Sequence, residues 1–174
     1  MSKEARGQRR FGLGMLVLWV LLMAMAFFGF QRLMEERRNP NADLARMTEG
    51  QQREVTLERN GAGHFVASGR INGEVVEFLL DTGATQVAVP GKLAERLGLK
   101  RGPGAVFRTA NGTARGYLTQ LDKVSLGGLV ARDVSGPIGP GMGGDTVLLG
   151  MSFLNRFDIQ IRGDRMVLSV PEAR

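Results

Sequence analysis

The hydrophobic rhythm of the chain changes near residue 50. Before it, Phe11 to Phe30 form an unbroken run of twenty residues without a charge or a strongly polar side chain. As a helix rising about 1.5 Å per residue, this run spans about 30 Å, the hydrocarbon thickness of a bilayer. Beyond residue 50, apolar residues come in short runs separated by glycines, the pattern of strands and tight turns. Val55–Glu58 and His64–Ala67 read as strands around Asn60-Gly61-Ala62-Gly63, and Ile71-Asn72-Gly73-Glu74 as the turn into a strand from Val75 to Leu80. Val87-Ala88-Val89 follows. Lys92 to Leu97 reads as a short helix after Pro90, with Gly98 as its C′ residue. Gln120 to Val134 gives two strands about Gly127-Gly128, and Asp158–Ile161 with Arg165–Val170 gives a last hairpin about Gly163-Asp164. Many short strands with glycine turns predict an all-β closed or sandwich-like domain.

The chain thus divides into a basic tail (1–10), a transmembrane anchor (11–30), a polar linker (31–53) and a domain (54–174). The linker is charged and broken by Asn39-Pro40-Asn41, as a tether would be. Four Lys/Arg side chains precede the apolar run (Lys3, Arg6, Arg9, Arg10) and four follow it (Arg32, Arg37, Arg38, Arg46). The closeness of the first group to the span and the short tail favour a cytoplasmic N-terminus with the domain translocated. A cleaved signal peptide is the competing reading, because Ala24-Met25-Ala26 has the small-x-small form of a cleavage site. The run stays apolar through Phe27-Phe28-Gly29-Phe30, which favours an uncleaved anchor.

The candidate chemistry sits at one junction. The apolar residues Phe78-Leu79-Leu80 deliver a carboxylate, Asp81, directly into Thr82-Gly83-Ala84-Thr85. A charge at the end of a buried strand needs donors, a partner or a proton. Gly83 allows close backbone approach, and the hydroxyls of Thr82 and Thr85 can bond backbone groups. On these residues alone an ordinary strand-to-turn junction is an open alternative. A second element lies downstream: Thr146-Val147-Leu148-Leu149-Gly150, followed by Ser152 to Phe157 as a short helix candidate. Between the two, Val106 to Tyr117 reads as a hairpin with Asn111-Gly112 as its two-residue turn.

In this order the segments resemble the retropepsin-like aspartic proteases, in the style of their membrane-anchored bacterial members, over most of residues 55–170. The resemblance implies a closed β-barrel of the acid-protease fold with one short helix, here preceded by a single transmembrane helix. It implies that Asp81 is catalytic and that Thr82, Gly83, Ala84 and Thr85 shape the active-site loop. Leu148, Leu149 and Gly150 would form the strand that crosses through that loop, with glycine where two backbones pass too closely for a Cβ. Ala110, Asn111 and Gly112 would form the tip of a flap over an extended peptide. Retroviral-type members often carry a charged residue just after the crossing glycine; here Met151 and Ser152 stand instead. The implied location is a bacterial inner membrane with the domain in the periplasm.

Only one Asp-Thr-Gly is present, since Asp145-Thr146-Val147 lacks the glycine. Proteolysis by this chemistry needs two carboxylates sharing a proton, so the chain is expected to form a two-fold homodimer with Asp81 from each copy at the axis. A non-catalytic, membrane-tethered peptide-binding or dimerisation domain of the same fold is the alternative. The remaining composition excludes more than it adds. There is no Cys and one His, His64, which leaves neither a thiol nucleophile nor a zinc site. No cofactor or metal is expected. Gly139-Pro140-Gly141-Met142-Gly143-Gly144 fits a dinucleotide fingerprint only as a string, because a strand follows it. An aspartyl-phosphate mechanism would want a second acid where Thr82-Gly83 stand. The net charge of +6 is spread evenly between residues 1–50 and 51–174, and few aromatics accompany the arginines, so nucleic acid is not an expected partner. The expected partners are a second copy, an extended peptide and the lipid bilayer.

Overall fold

A computed structural model describes residues 4–109, 112–139 and 144–172. The first unit, ending at Arg37, is occupied by helix α1, which runs over Glu4–Arg38. Its Gly14–Arg38 part is long and apolar enough to cross a membrane, and it continues past Phe30 into the charged residues that follow. The second unit, Arg38–Arg174, is a β domain whose strands follow the expected glycine punctuation.

A three-stranded antiparallel sheet joins β1 (Glu54–Glu58), β10 (Arg165–Ser169) and β9 (Asp158–Arg162) in that order. The larger sheet contains β2 (Phe65–Ile71), β3 (Glu74–Leu80), β4 (Val89–Pro90), β5 (Gly104–Thr109), β6 (Gly112–Leu126), β7 (Leu129–Gly139) and β8 (Thr146–Leu149). Its main path runs β4-β7-β6-β2-β3-β8, with β5 paired to the outer half of β6. The path closes on itself. Ala88, at the threshold of β4, exchanges hydrogen bonds with Leu148 of β8, N to O at 2.9 Å and O to N at 3.0 Å. Side chains from both faces of this ring, including the fully buried Phe78, Leu121 and Leu149, meet Leu57 and Leu168 of the smaller sheet and Phe153 in one core. Full burial of such side chains contributes about 1.5–3 kcal/mol each.

The turns show why these residues are required. Asn72 and Gly73 have φ of 51° and 94°, and Gly127 and Gly128 have φ of 55° and 85°. These two-residue turns need left-handed backbone at both positions, which matches the right-handed twist of the strands they join. Among the described residues of the domain two short α-helices are present. Helix α2 covers Gly91–Arg96 and α3 covers Met151–Leu154, each starting one residue earlier than its sequence pattern predicts. Gly136 marks a crossing inside the domain: a Cβ there would overlap the Val87 carbonyl oxygen, so β7 can pass under the segment entering β4 only at glycine.

Two expectations change. The hairpin from Val106 to Tyr117 pairs Thr109 with Gly112, so Gly112, expected in the turn, opens strand β6; Ala110 and Asn111 lie outside the described residues. At the hairpin's base Gly116 lies so close to β7 that a Cβ would overlap the Ile138 carbonyl oxygen. The linker expected over residues 31–53 is divided. Residues up to Arg38 extend α1, whereas Asn39 and Asn41 are buried and Leu44 and Ala45 pack on the domain from a 3-10 turn. Asn41 donates to the carbonyls of Glu58 (2.9 Å) and Val66 (2.7 Å) and accepts from the Glu58 N–H (2.9 Å). It thereby satisfies backbone groups at the ends of β1 and β2. Polar residues that read as solvated chain are here the partners of otherwise orphaned backbone.

This packed strap, from Asn39, ends at Glu49, whose carboxylate accepts from Lys123 Nζ (2.5 Å) and Ser125 Oγ (2.8 Å) on β6. These two hydrogen bonds, Lys123 first, hold the Glu49 carboxyl below its usual value near 4.5, with burial opposing them. A lowered folded pKa stabilises the fold above the unfolded pKa, and that contribution disappears as pH falls through the folded value. Glu49→Gln should therefore flatten the loss of stability between about pH 6 and about pH 3, at a cost near neutral pH of roughly 1 kcal/mol or less for this half-exposed pair. Urea titrations of the full chain in detergent at the two pH values check this. At the crossing, Gly136→Ala should lower the unfolding free energy by about 1–3 kcal/mol or more. Gly61→Ala, whose Cβ would enter open space, serves as the unaffected control in the same titration.

Candidate active site

Strand β3 buries Val76, Phe78 and Leu80 on alternate positions and then ends, so the next residue emerges at the rim of the closed sheet. That residue is Asp81. Its backbone N–H donates to the Leu149 carbonyl at 3.2 Å, the last contact of the parallel pairing between β3 and β8. The chain then turns back: Ala84 N–H donates to the Asp81 carbonyl at 3.2 Å, and Gly83 N–H donates to the Asp81 carboxylate Oδ1 at 2.8 Å. The carboxylate is thus oriented by its own turn.

The loop next wraps the far end of β8. Met151 N–H donates to the Ala84 carbonyl (2.8 Å) and Ser152 N–H to the Thr85 carbonyl (3.0 Å). The Val87 N–H donates to Ser152 Oγ at 3.0 Å, and the Ala88–Leu148 bridge completes the circuit. Strand β8 is therefore held between β3 on one side and residues 84–88 on the other. Gly150 lies where the two backbones cross. A Cβ on it would stand 2.6 Å from the Ala84 carbonyl oxygen and overlap that of Gln86, and both obstacles are backbone. Leu148 and Leu149 lie in β8, with Leu149 fully buried.

Exposure separates the loop into an anchored base and a free apex. Val87 is fully buried, Ala84 and Gln86 are half-buried, and Asp81, Thr82, Gly83 and Thr85 are exposed. Among the described residues, Asp81 forms no ion pair, and neither Thr82 nor Thr85 uses its hydroxyl within the chain. Backbone hydrogen bonds fix the loop instead. Of the three expected flap residues, Ala110 and Asn111 lie outside the described residues, and Gly112 is exposed with φ of 109°.

Two supporting residues escaped the sequence reading. Ser152 acts through its hydroxyl on the Val87 N–H, and a serine at the start of a helix beside a buried strand is the kind of signal that marks such a bond. Glu77, on β3 opposite Thr146, accepts from Thr146 Oγ1 (2.9 Å) and from Arg38 (2.9 Å). It ties the two parallel strands together through side chains as well as backbone. A second brace, Arg96 to Asp145 at 3.0 Å, holds the residue before β8 against α2.

Comparison with known proteins agrees on where the similarity lies. Residues 67–156 match the family model described as "gag-polyprotein putative aspartyl protease". A protein encoded in the cobV 5′ region of a Sinorhizobium species is 31% identical over 181 residues, covering 94% of this chain and 76% of the relative. Protein RP867 of Rickettsia prowazekii is 32% identical over 120 residues, and the match covers 67% of this chain and 51% of that relative. Among solved structures, a retropepsin-like aspartic protease from Rickettsia conorii superposes with a TM-score of 0.56 at 32% identity, covering 66% of this chain and 98% of that one.

Removing the Ser152 hydroxyl leaves the Val87 N–H without its partner in a buried segment. Ser152→Ala should therefore cost about 1–3 kcal/mol of stability, whereas Ser152→Thr, which keeps the oxygen, should cost less. Thermal or urea unfolding of the two variants against the parent chain checks the ranking.

Proposed function

The chain belongs to the retropepsin-like aspartic protease family, and on that premise we propose that it is a membrane-anchored endopeptidase built from two identical chains. One observation carries this reading. The Asp81 apex is exposed and, among the described residues, its carboxylate takes a single hydrogen bond, from Gly83 N–H. The machinery that holds the loop, from Leu149 to Ser152, is complete within one copy. The chemistry is not, because one carboxylate cannot serve as both base and acid towards the same peptide bond.

A second copy related by a two-fold axis supplies the missing group. With two Asp81 carboxylates close together, like-charge repulsion keeps both from ionising and the pair holds one proton. The ionised member takes a proton from water as that water attacks the carbonyl carbon. The protonated member donates to the carbonyl oxygen, giving a neutral tetrahedral intermediate. Breakdown returns a proton to the leaving nitrogen, so protons balance across the cycle. In this reading Thr82 lies at the contact between the two loops, and the exposed hydroxyls find partners across the axis. An extended peptide lies beneath the β5–β6 hairpin, bonding through its backbone as an added strand.

Helix α1 would anchor each copy, with the N-terminus cytoplasmic and the domain on the opposite side of the bilayer. Confinement of both copies to one membrane raises their effective concentration and favours the dimer. The test is incubation of the full chain in detergent with a diverse peptide pool, parent against Asp81→Asn. Cleavage should be lost in the variant while unfolding and the oligomeric state stay unchanged. Cleavage retained by Asp81→Asn, or full activity in a strictly monomeric species, would overturn the reading.

A further inference from the structure

A groove of about 410 Å³ opens where the β5–β6 hairpin leaves the closed sheet, a volume in the range of ligand sites. Its apolar wall comes from three elements: Pro90 ahead of α2, Tyr117 on β6 and Ile138 on β7. Among the described residues its charged lining is Lys92, Arg101 and Arg115, with no acidic side chain. Arg101 is already engaged, pairing with Glu95 at 2.6 Å with its guanidinium 5.4 Å from the Tyr117 ring centre. Lys92 and Arg115 form no ion pair among the described residues. Two unneutralised cations therefore stand beside an apolar wall.

The floor is glycine. At Gly91, Gly139 and Gly144, which line the groove, a Cβ would meet no other atom within 4 Å. At Gly91 and Gly139 a side chain would fit, and its absence leaves room for another backbone to approach, whereas Gly144, with φ of 94°, needs glycine for its own conformation. A fatty acid would not need that room, whereas an extended peptide would.

We propose that this groove holds a peptide segment in which an acidic side chain stands beside an apolar one. The apolar side chain packs on Pro90, Tyr117 and Ile138, and the carboxylate takes charge-assisted hydrogen bonds from Arg115 and Lys92. Asp81 does not line the groove, so the segment bound here lies outside the bond being cut. Gly116 and Tyr117 belong to the base of the hairpin, so occupancy also packs against the root of the flap. Calling the segment part of a substrate rests on the Asp81 reading; the binding does not.

Tyr117 is the only tyrosine in the chain, so 3-fluorotyrosine labelling gives a single fluorine resonance inside the groove. The full-length Asp81→Asn protein in detergent, which keeps the peptide intact on the reading above, is titrated with three probes. These are a short peptide with adjacent Leu and Glu, the same peptide with Gln for Glu, and decanoate. The Glu peptide should shift the resonance saturably and bind about tenfold more tightly than the Gln peptide, as expected for a charge-assisted hydrogen bond. Arg115→Gln and Lys92→Gln should each reduce that preference, raised salt should weaken it, and Arg132→Gln, outside the groove, should leave it unchanged. Equal binding of the two peptides, no saturable shift, or a shift with decanoate alone would overturn the proposal. Because the readout needs no catalysis, its failure is separable from failure of the protease reading.

Discussion

The arrangement depends on one close crossing of two backbones. Strand β8 and Gly150 pass through the loop that begins at Asp81, and no side-chain atom fits between Gly150 and the carbonyls of Ala84 and Gln86. At that distance the two segments bond each other directly: Asp81 to Leu149, Ala84 to Met151, Thr85 to Ser152, Ala88 to Leu148. A loop fixed at so many points loses its freedom during folding, not when a ligand arrives. The carboxylate is thus presented in one orientation by a rigid base, although its apex is open to solvent.

The same device recurs in the domain. Gly136 lets β7 pass the Val87 carbonyl, and Gly116 lets β6 pass that of Ile138. Each glycine marks a place where two backbones pass too closely for a side chain, so steric exclusion acts beside hydrophobic alternation in fitting the strands together. Closure joins Ala88 to Leu148; the Asp81 loop lies at the end of β8, whereas the groove, lined by Gly144 and the start of α2, lies towards its beginning. The candidate active site and the basic groove are two consequences of one closed sheet. The strap from Asn39 to Glu49 adds a second kind of constraint, in which the Asn41 side chain replaces missing strand partners at the ends of β1 and β2.

Membership of the retropepsin-like aspartic proteases fits this economy. Half of a symmetric site needs only one well-held loop, and the domain supplies that loop while leaving its apex uncovered. Under the proposed dimer, the exposure of Asp81, Thr82 and Thr85 is the surface a second copy would cover. The basic groove would then bias which peptides are held beside that shared centre.

Much of this was legible in the sequence because it depends on local rules. The left-handed turns at Asn72-Gly73 and Gly127-Gly128, the short helix closed by Gly98, the apolar run of α1 and the Asp-Thr-Gly junction all follow from residues near one another in the chain. Gly112 opens β6 opposite Thr109 because the pairing of β5 with β6, not the Asn-Gly pair alone, decides where the strand begins. The strap was read as linker because a polar residue in a sequence does not reveal whether water or an orphaned carbonyl will satisfy it. Ser152, Glu77 and the groove cations came together only through the closed sheet. The sequence by itself determined the elements and the chemistry each could carry. The tertiary structure decided which of them meet, because contact between distant segments depends on closure and steric fit that no local pattern encodes.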